Sequence, residues 1–253
     1  MTVERDAAEP PRDAEAPLDA AAARDAEPPL DAAAARDAEP PLEATPARRA
    51  VAVRLPEPPA EARRAGVPAV WTLLDRPTLR ARVAELGARL RADYQGLEPI
   101  LVSVLRGAVV FLADLVRAAA MPCQVDFMAV QRFLTSDETG VVRILKDLEL
   151  DVTGAHVVLV EDVVDTGLTL SYILEVLGAR RPASLRVCTL LDRRARRLVE
   201  VPLAYVGFEI PDTFVFGYGL DLDERERGRD EILAIADPEA VRRDPGLVPP
   251  RRY

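Results

Sequence analysis

The strongest constraint on the fold is a buried-strand pattern that leads through a glycine turn into a helix. Residues 155–164 form a mostly apolar run that carries two acids, Glu161 and Asp162, near its end. Such a run is typical of a strand covered on both faces of a parallel sheet. Residues 165–169 combine a glycine with polar side chains, and residues 170–178 are predicted to be a helix. The chain is therefore restricted to folds that contain β–α units.

The same alternation continues over most of the chain after residue 68. Apolar residues at helical spacing predict helices over 78–95 and 108–119. The polar segment 131–140 predicts a loop. Apolar runs predict further strands at 99–105, 124–130, 141–145, 183–191, 204–210 and 213–218. We therefore expect an α/β fold with a mainly parallel central sheet and flanking helices, which binds ligands beyond the carboxyl ends of its strands.

The N-terminal segment has a different character. A 12-residue unit begins at Arg12, again at Arg24 and a third time at Arg36. Its prolines interrupt helices, and one leucine per repeat cannot build a core. We expect residues 1–50 to be a disordered acidic tail that serves as a spacer or solubilising segment. We place a linker at 51–67, the folded domain at 68–240 and a C-terminal tail at 241–253.

The charge distribution excludes several classes of protein. The net charge is −9, and residues 1–47, with twelve acids and four arginines, account for −8 of it, which leaves −1 for the rest. A nearly neutral folded part lacks the basic footprint of nucleic-acid binding. No apolar run approaches the ~18 residues of a membrane span, and we find no secretory signal. Cys123 and Cys188 are too few for a disulfide scaffold, so we expect free thiols and a cytoplasmic protein.

The turn that follows the acids suits phosphate binding. Backbone N–H groups at a helix N-terminus, together with the hydroxyls of Thr166 and Thr169, can cradle a phosphate group. Acids at the end of the strand can accept hydrogen bonds from sugar hydroxyls or from water on a metal. An ordinary acidic turn between strand and helix is the alternative interpretation, but the full run from Val157 to Thr169 is more specific than an acid pair.

This run resembles the phosphoribosyl-diphosphate motif of the type I phosphoribosyltransferases. The aspartate before Thr-Gly resembles the form typical of the hypoxanthine-guanine phosphoribosyltransferases. The similarity covers roughly residues 70–235. It includes VLRGA from Val104, DFMAV from Asp126, VVRILKDL from Val141, VGFEIPD from Val206 and GYGLD from Gly217. The resemblance implies a Rossmann-like fold in which a small hood accompanies the central sheet.

The resemblance also implies an activity in purine salvage. The 5-phosphoribosyl group of phosphoribosyl diphosphate would be transferred to hypoxanthine or guanine, which gives IMP or GMP and diphosphate, with Mg²⁺ as cofactor. Asp165 would act as base and acid at purine N7, a role that contributes ~10²–10⁴-fold in rate. The 5′-phosphate would be held by Asp165, Thr166, Gly167, Leu168 and Thr169. The family also implies a homodimer or homotetramer.

The remaining roles come from the same resemblance. Glu161 and Asp162 would hold the ribose hydroxyls directly or through metal-bound water, and Asp221 would ligate a second magnesium ion. Three groups would meet the base: Phe214 by stacking, Val215 through its backbone and Arg193 by donating to the 6-oxo group. The diphosphate would contact Arg227 and also Arg106 and Gly107, which belong to a loop where the family has a non-proline cis peptide after Leu105.

Three departures from the family leave alternatives open. Arg193 stands where the family has lysine, residues 131–134 lack the Ser-Tyr pair of the mobile loop, and Leu222 replaces an aromatic residue. The chain could instead be a weakly active or non-catalytic nucleotide-binding regulatory relative, or a transferase for another purine such as xanthine. From spacing alone, Phe214 would be a core residue and 225–227 a solvated charge run. The only histidine, His156, and the only lysine, Lys146, match no catalytic position.

Overall fold

A computed structural model of the chain describes residues 53–54, 70–133 and 141–250. Four helices and ten strands are present in these ranges. The helices are α1 (Arg76–Asp93), α2 (Val109–Ala119), α3 (Leu168–Ala179) and α4 (Pro238–Arg243). The strands are β1 (Val53–Arg54), β2 (Val70–Leu74), β3 (Ile100–Leu105), β4 (Gln124–Phe133), β5 (Val141–Lys146), β6 (His156–Val164), β7 (Ser184–Asp192), β8 (Leu203–Glu209), β9 (Phe214–Phe216) and β10 (Ile232–Ile235).

Seven strands form the central sheet in the order β1-β8-β7-β6-β3-β4-β5. All neighbouring pairs are parallel except β4 and β5, which are antiparallel. From β3 the chain proceeds to β4 on one side, and from β6 it proceeds to β7 on the other. The strand order therefore reverses between β3 and β6, which is where open α/β sheets bind their ligands.

Helices cover both faces of this sheet. Val158 and Val160 of β6 share a core cluster with Leu86 of α1 and Phe111 of α2. Other β6 side chains, such as Leu159, share a second cluster with α3. Because β6 is buried on both faces, it can be an almost uninterrupted apolar run. The α/β architecture with a mainly parallel sheet, predicted from the sequence, is confirmed.

A second, antiparallel sheet of three strands, in the order β2-β10-β9, forms the hood. Its own core contains Phe216, Leu233 and Ile235, together with Val241 from α4. The chain therefore continues to pack beyond residue 240, where the sequence analysis placed the end of the domain. Arg229 supports this segment, since its Nη2 donates to the carbonyl of Pro249 at 2.7 Å.

Several elements differ from the sequence-based prediction. Strands β2 and β10 and helix α4 were not predicted, and β1 lies inside the expected linker. Strand β4 continues through Phe133, into the expected loop, because its backbone pairs with β5. The tail 1–50 and the loop residues 134–140 lie outside the described residues. Among the described residues, no helix is both long and apolar enough to cross a membrane.

Candidate active site

The candidate site lies at the carboxyl ends of β3, β6 and β7. The loop after β3 contains Arg106 and Gly107, and the loop after β6 contains residues 165–169. These two loops start at the neighbouring strands between which the sheet order reverses. They enter α2 and α3, which cover opposite faces of the sheet, so a crevice opens between them.

The 165–169 loop owes its conformation to a glycine. Gly167 has φ +84°, and a Cβ added there would lie 2.3 Å from the carbonyl oxygen of Val199. The carbonyl of Thr166 accepts hydrogen bonds from the N–H groups of Leu198 and Val199, at 2.9 and 3.0 Å. Because Gly167 is also the N-cap of α3, no N-cap side chain caps the helix. The predicted phosphate-binding residues therefore form a tight turn at a helix N-terminus.

The β3 loop approaches Asp162 closely. A Cβ added to Gly107 would lie 1.6 Å from Oδ2 of Asp162, so only glycine fits at this position. The preceding peptide bond, between Leu105 and Arg106, is cis, as the family resemblance implies. The backbone of this predicted diphosphate loop therefore lies directly against one of the two strand-end acids.

The two strand-end acids have raised pKa values. Burial raises the pKa of Glu161 well above its usual range, and the charge of Asp162 adds to this effect. Burial also raises the pKa of Asp162 to about 6, against the opposing effects of the Val163 N–H and of Arg227. Both carboxyls therefore keep their protons to higher pH than exposed acids do. A bound cation would favour their ionised forms.

Arg193 and Asp165 form an ion pair across the ends of β6 and β7. Nη1 of Arg193 donates to Oδ2 of Asp165 at 3.1 Å and lies 3.0 Å from Oδ1. The arginine is buried, with its side chain 7% exposed, whereas that of Asp165 is 40% exposed. Burial lowers the pKa of the guanidinium and Asp165 opposes this shift, so Arg193 remains the cation of the pair.

Each member of this pair also has an unused polar atom. Within the described residues, Oδ1 of Asp165 has only the ion-pair contact with Nη1 of Arg193 and accepts no hydrogen bond, and Nε of Arg193 donates none, although both atoms are buried. Buried polar groups normally have partners, so each unsatisfied one needs an explanation. A ligand with a hydrogen-bond donor beside an acceptor could therefore donate to Oδ1 of Asp165 and accept from Nε of Arg193.

A second ionic cluster lies in the loop after β9. Nη2 of Arg227 lies 3.0 Å from Oδ1 of Asp221 and 3.1 Å from Oε2 of Glu224. The other oxygen of that carboxylate, Oε1 of Glu224, accepts from Nη2 of Arg106 at 3.1 Å. The structure thus brings Arg106 and Arg227, the two cations predicted to meet diphosphate, onto one carboxylate.

The hood contacts the β3 loop through backbone atoms. A Cβ added to Gly219 (φ +100°) would lie 2.1 Å from the carbonyl oxygen of Gly107. The carbonyl of Gly219 in turn accepts from Nη1 of Arg227 at 3.0 Å. Phe214 is half-buried and packs against the hood core. Val215 is buried and pairs with β10, so these two predicted base-binding residues are in the hood and not in either ionic cluster.

The electrostatics connect the two ionic clusters around one acid. The charges of Arg227 and of Asp165 both act on Asp162, the first lowering its pKa and the second raising it. Sequence reasoning missed Glu224 and Gly219. Their only signal was position, since both lie within a few residues of Asp221.

The donor set suits a hard cation that the substrate helps to hold. Among the described residues, no three acidic, histidine or cysteine side chains cluster as a metal site. Asp162 and Asp221 nevertheless offer carboxylate oxygens at the crevice. Mg²⁺ is usually bound by one or two carboxylates together with substrate phosphates and water. The residues present therefore fit magnesium that arrives with a phosphorylated ligand.

The histidine and the lysine are structural, as expected. Nδ1 of His156 lies 2.8 Å from the hydroxyl of Ser184, at the amino ends of β6 and β7 and away from the site. Lys146, at the end of β5, donates to the carbonyls of Phe127 and Asp147, both at 3.1 Å.

Comparisons with known proteins agree with this geometry. Residues 70–225 match the model of the phosphoribosyl transferase domain. The chain is 49% identical over 179 residues to a hypoxanthine-guanine phosphoribosyltransferase of Mycobacterium avium, covering 68% of this chain and 87% of that protein. It is 46% identical over 162 residues to a hypoxanthine phosphoribosyltransferase of Haemophilus influenzae, covering 62% and 90%. A crystal structure of a hypoxanthine-guanine phosphoribosyltransferase from Bacillus anthracis superposes with a TM-score of 0.63 at 38% identity, covering 65% of this chain and 97% of that one.

Proposed function

The chain belongs to the hypoxanthine-guanine phosphoribosyltransferase family of purine salvage enzymes, and from this premise we propose how its residues transfer a 5-phosphoribosyl group to a 6-oxopurine. The proposed substrates are phosphoribosyl diphosphate and hypoxanthine or guanine. The proposed products are IMP or GMP and diphosphate.

One observation carries the proposal for the base. Asp165 Oδ1 accepts no hydrogen bond beyond its ion-pair contact with Nη1 of Arg193, and Arg193 Nε is a donor without an acceptor. A 6-oxopurine carries an N7–H donor next to its O6 acceptor. Bound with this edge toward the pair, the base would satisfy both groups, and an unsatisfied buried group costs ~1–3 kcal/mol.

The same pair accounts for proton transfer. As N9 of the base forms its bond to C1 of the ribose, the bond from C1 to the diphosphate oxygen breaks and its electron pair leaves with diphosphate. The N7 proton must then leave the base, and Asp165 would accept it. Arg193 would stay on O6 and on the carboxylate, so it orients both reacting partners.

The 5′-phosphate and the diphosphate of the substrate would bind at different places along the crevice. The turn from Asp165 to Thr169 would hold the 5′-phosphate on backbone N–H groups and hydroxyls. Arg106, Gly107 and Arg227 would hold the diphosphate. Glu161 and Asp162 would accept hydrogen bonds from the ribose hydroxyls between these ends.

Magnesium would be held by Asp162 and Asp221 with substrate oxygens, and Glu161 would contribute through water. When bound, it supplies positive charge that stabilises the departing diphosphate. Two of these carboxylates lie near Arg227: Asp221 is in contact with it, and Asp162 is within reach of its charge.

Product formation tests the proposal directly. The full chain would be incubated with phosphoribosyl diphosphate, magnesium and one base at a time: hypoxanthine, guanine, xanthine or adenine. We expect nucleotide from hypoxanthine or guanine and none from adenine, which lacks the 6-oxo acceptor. Turnover with xanthine alone would reassign the base. Nucleotide binding without turnover on any base would support a regulatory relative instead.

We also propose a cytoplasmic homodimer or homotetramer, on the basis of family membership. Light scattering after size-exclusion chromatography measures this directly, and a monomer at working concentration would contradict it.

A further inference from the structure

We propose that Glu224 is a built-in competitor of diphosphate, a carboxylate that neutralises Arg106 and Arg227 until the substrate displaces it and that returns as the diphosphate leaves. The inference rests on the proposed function, because it takes the two arginines as the diphosphate-binding cations.

The geometry is that of one anion shared by two cations. Oε1 of Glu224 lies 3.1 Å from Nη2 of Arg106, and Oε2 lies 3.1 Å from Nη2 of Arg227. The arginines come from different parts of the fold, one from the loop after β3 and the other from the loop after β9. A diphosphate that contacts both arginines would compete with Glu224 for Nη2 of each.

The bridge is built to open. The side chains of Glu224 and Arg106 are 61% and 68% exposed, and exposed ion pairs contribute little stability. Glu224 also has φ +63°, and its neighbours Asp223 and Glu226 have φ +49° and +65°. Such conformations are disfavoured for residues with a Cβ, so the backbone of this segment does not by itself favour the geometry that holds the carboxylate in the bridge.

Arg227, in contrast, stays in place when Glu224 leaves. Its Nη1 donates to the carbonyl of Gly219 at 3.0 Å, and its Nη2 lies 3.0 Å from Asp221. Its side chain is 26% exposed. The site would therefore exchange one carboxylate for a more highly charged diphosphate around a cation that does not move. The consequence is weaker diphosphate binding than the two arginines alone would give, and hence faster product release.

The test compares Glu224→Gln with a matched control, Asp223→Asn. The control removes the same charge one residue away, from a carboxylate that pairs with Arg242 instead. The affinity of the full chain and of each variant for inorganic diphosphate, at fixed magnesium, would be measured by calorimetric titration. We expect E224Q to bind diphosphate ~2- to 10-fold more tightly than the parent, and D223N to change by less than about 2-fold. A purely structural role for Glu224 would weaken binding.

The outcomes separate the inference from the proposed function. If the parent binds diphosphate and E224Q binds it equally or more weakly, Glu224 is no competitor, while the proposed function stands. An equal gain in D223N would show that general charge is responsible and would overturn the inference. If the parent binds no diphosphate at all and forms no nucleotide, both the proposed function and the inference fail.

Discussion

Arg193 contacts both carboxylate oxygens of Asp165 through a single nitrogen, Nη1, at 3.0 and 3.1 Å. The register of the central sheet creates this contact. Val164 at the end of β6 pairs with Asp192 at the end of β7. The residues that follow them, Asp165 and Arg193, therefore lie side by side. The backbone N–H of Arg193 also donates to the carbonyl of Val164 at 3.0 Å. The residue proposed to recognise the base and the proposed proton acceptor are thereby held as one unit.

Replacing Arg193 should impair recognition of the base. In Arg193→Ala, the KM for hypoxanthine and guanine should rise far more than the KM for phosphoribosyl diphosphate, because a charged hydrogen bond costs ~1.5–3 kcal/mol to lose. Arg193→Lys should retain activity, since it keeps a donor. Steady-state kinetics with each substrate varied in turn measures both effects. Equal increases in the two KM values would count against base recognition.

Substitutions of Asp165 and of Thr169 should have different effects, the first on the rate of catalysis and the second on substrate binding. Asp165→Asn keeps the size of the side chain but removes the proton acceptor, so kcat should fall by roughly 10-fold or more while phosphoribosyl-diphosphate binding persists. Thr169→Val removes a cradle hydroxyl and should instead weaken that binding. Kinetics and calorimetric titration on both variants provide the comparison. Turnover of Asp165→Asn at the parent rate would show that another group takes the proton.

Gly107 should tolerate no side chain. In Gly107→Ala the added Cβ would lie 1.6 Å from Oδ2 of Asp162, so the loop or the acid must shift. A displacement of this size at a site can lower kcat/KM on the order of 10²-fold. Gly178→Ala is the matched control, because a Cβ there meets nothing within 4 Å. Should both variants keep parent activity, the close packing of loop and acid would have no functional importance.

The raised pKa of Asp162 should make the free energy of unfolding depend on pH. A carboxyl whose pKa rises to about 6 on folding binds its proton more tightly in the folded state, so its favourable contribution is present at low pH and is lost as the pH rises through 6. Relative to Asp162→Asn, the parent should lose on the order of 1–3 kcal/mol of unfolding free energy between pH 4 and pH 7. Urea denaturation with a chelator present measures this difference, and a constant difference across this range would contradict the raised pKa.

The repeat segment should be dispensable for catalysis. A chain that begins after residue 50 should keep the parent turnover and nearly the parent thermal midpoint, because the repeats carry too little apolar surface to dock on a domain. Product formation and thermal unfolding of both chains would be compared. A large decrease in either would show that the segment interacts with the folded part.

Local pattern was enough to predict the β6–turn–α3 unit and the residues that it presents. The apolar run, the two acids and Gly167 act over a few positions, so strand, turn and helix N-terminus can be deduced from neighbours in the chain. The family resemblance added roles for residues in other segments. The hood was harder, because the short runs of β2 and β10 have no distinctive period. Strand β2 forms by pairing with β10, which follows it by more than a hundred residues, and β10 also pairs with β9.

Only the tertiary structure decided which charged groups meet. The register of β6 against β7 places Arg193 on Asp165, and no pattern within either strand specifies that register. The sequence analysis assigned no role to Glu224, yet it lies between Arg106, 118 positions away, and Arg227, three positions away. Helical and strand periodicities report on burial within one segment, whereas these ion pairs depend on where the folded sheet and hood bring separate loops together.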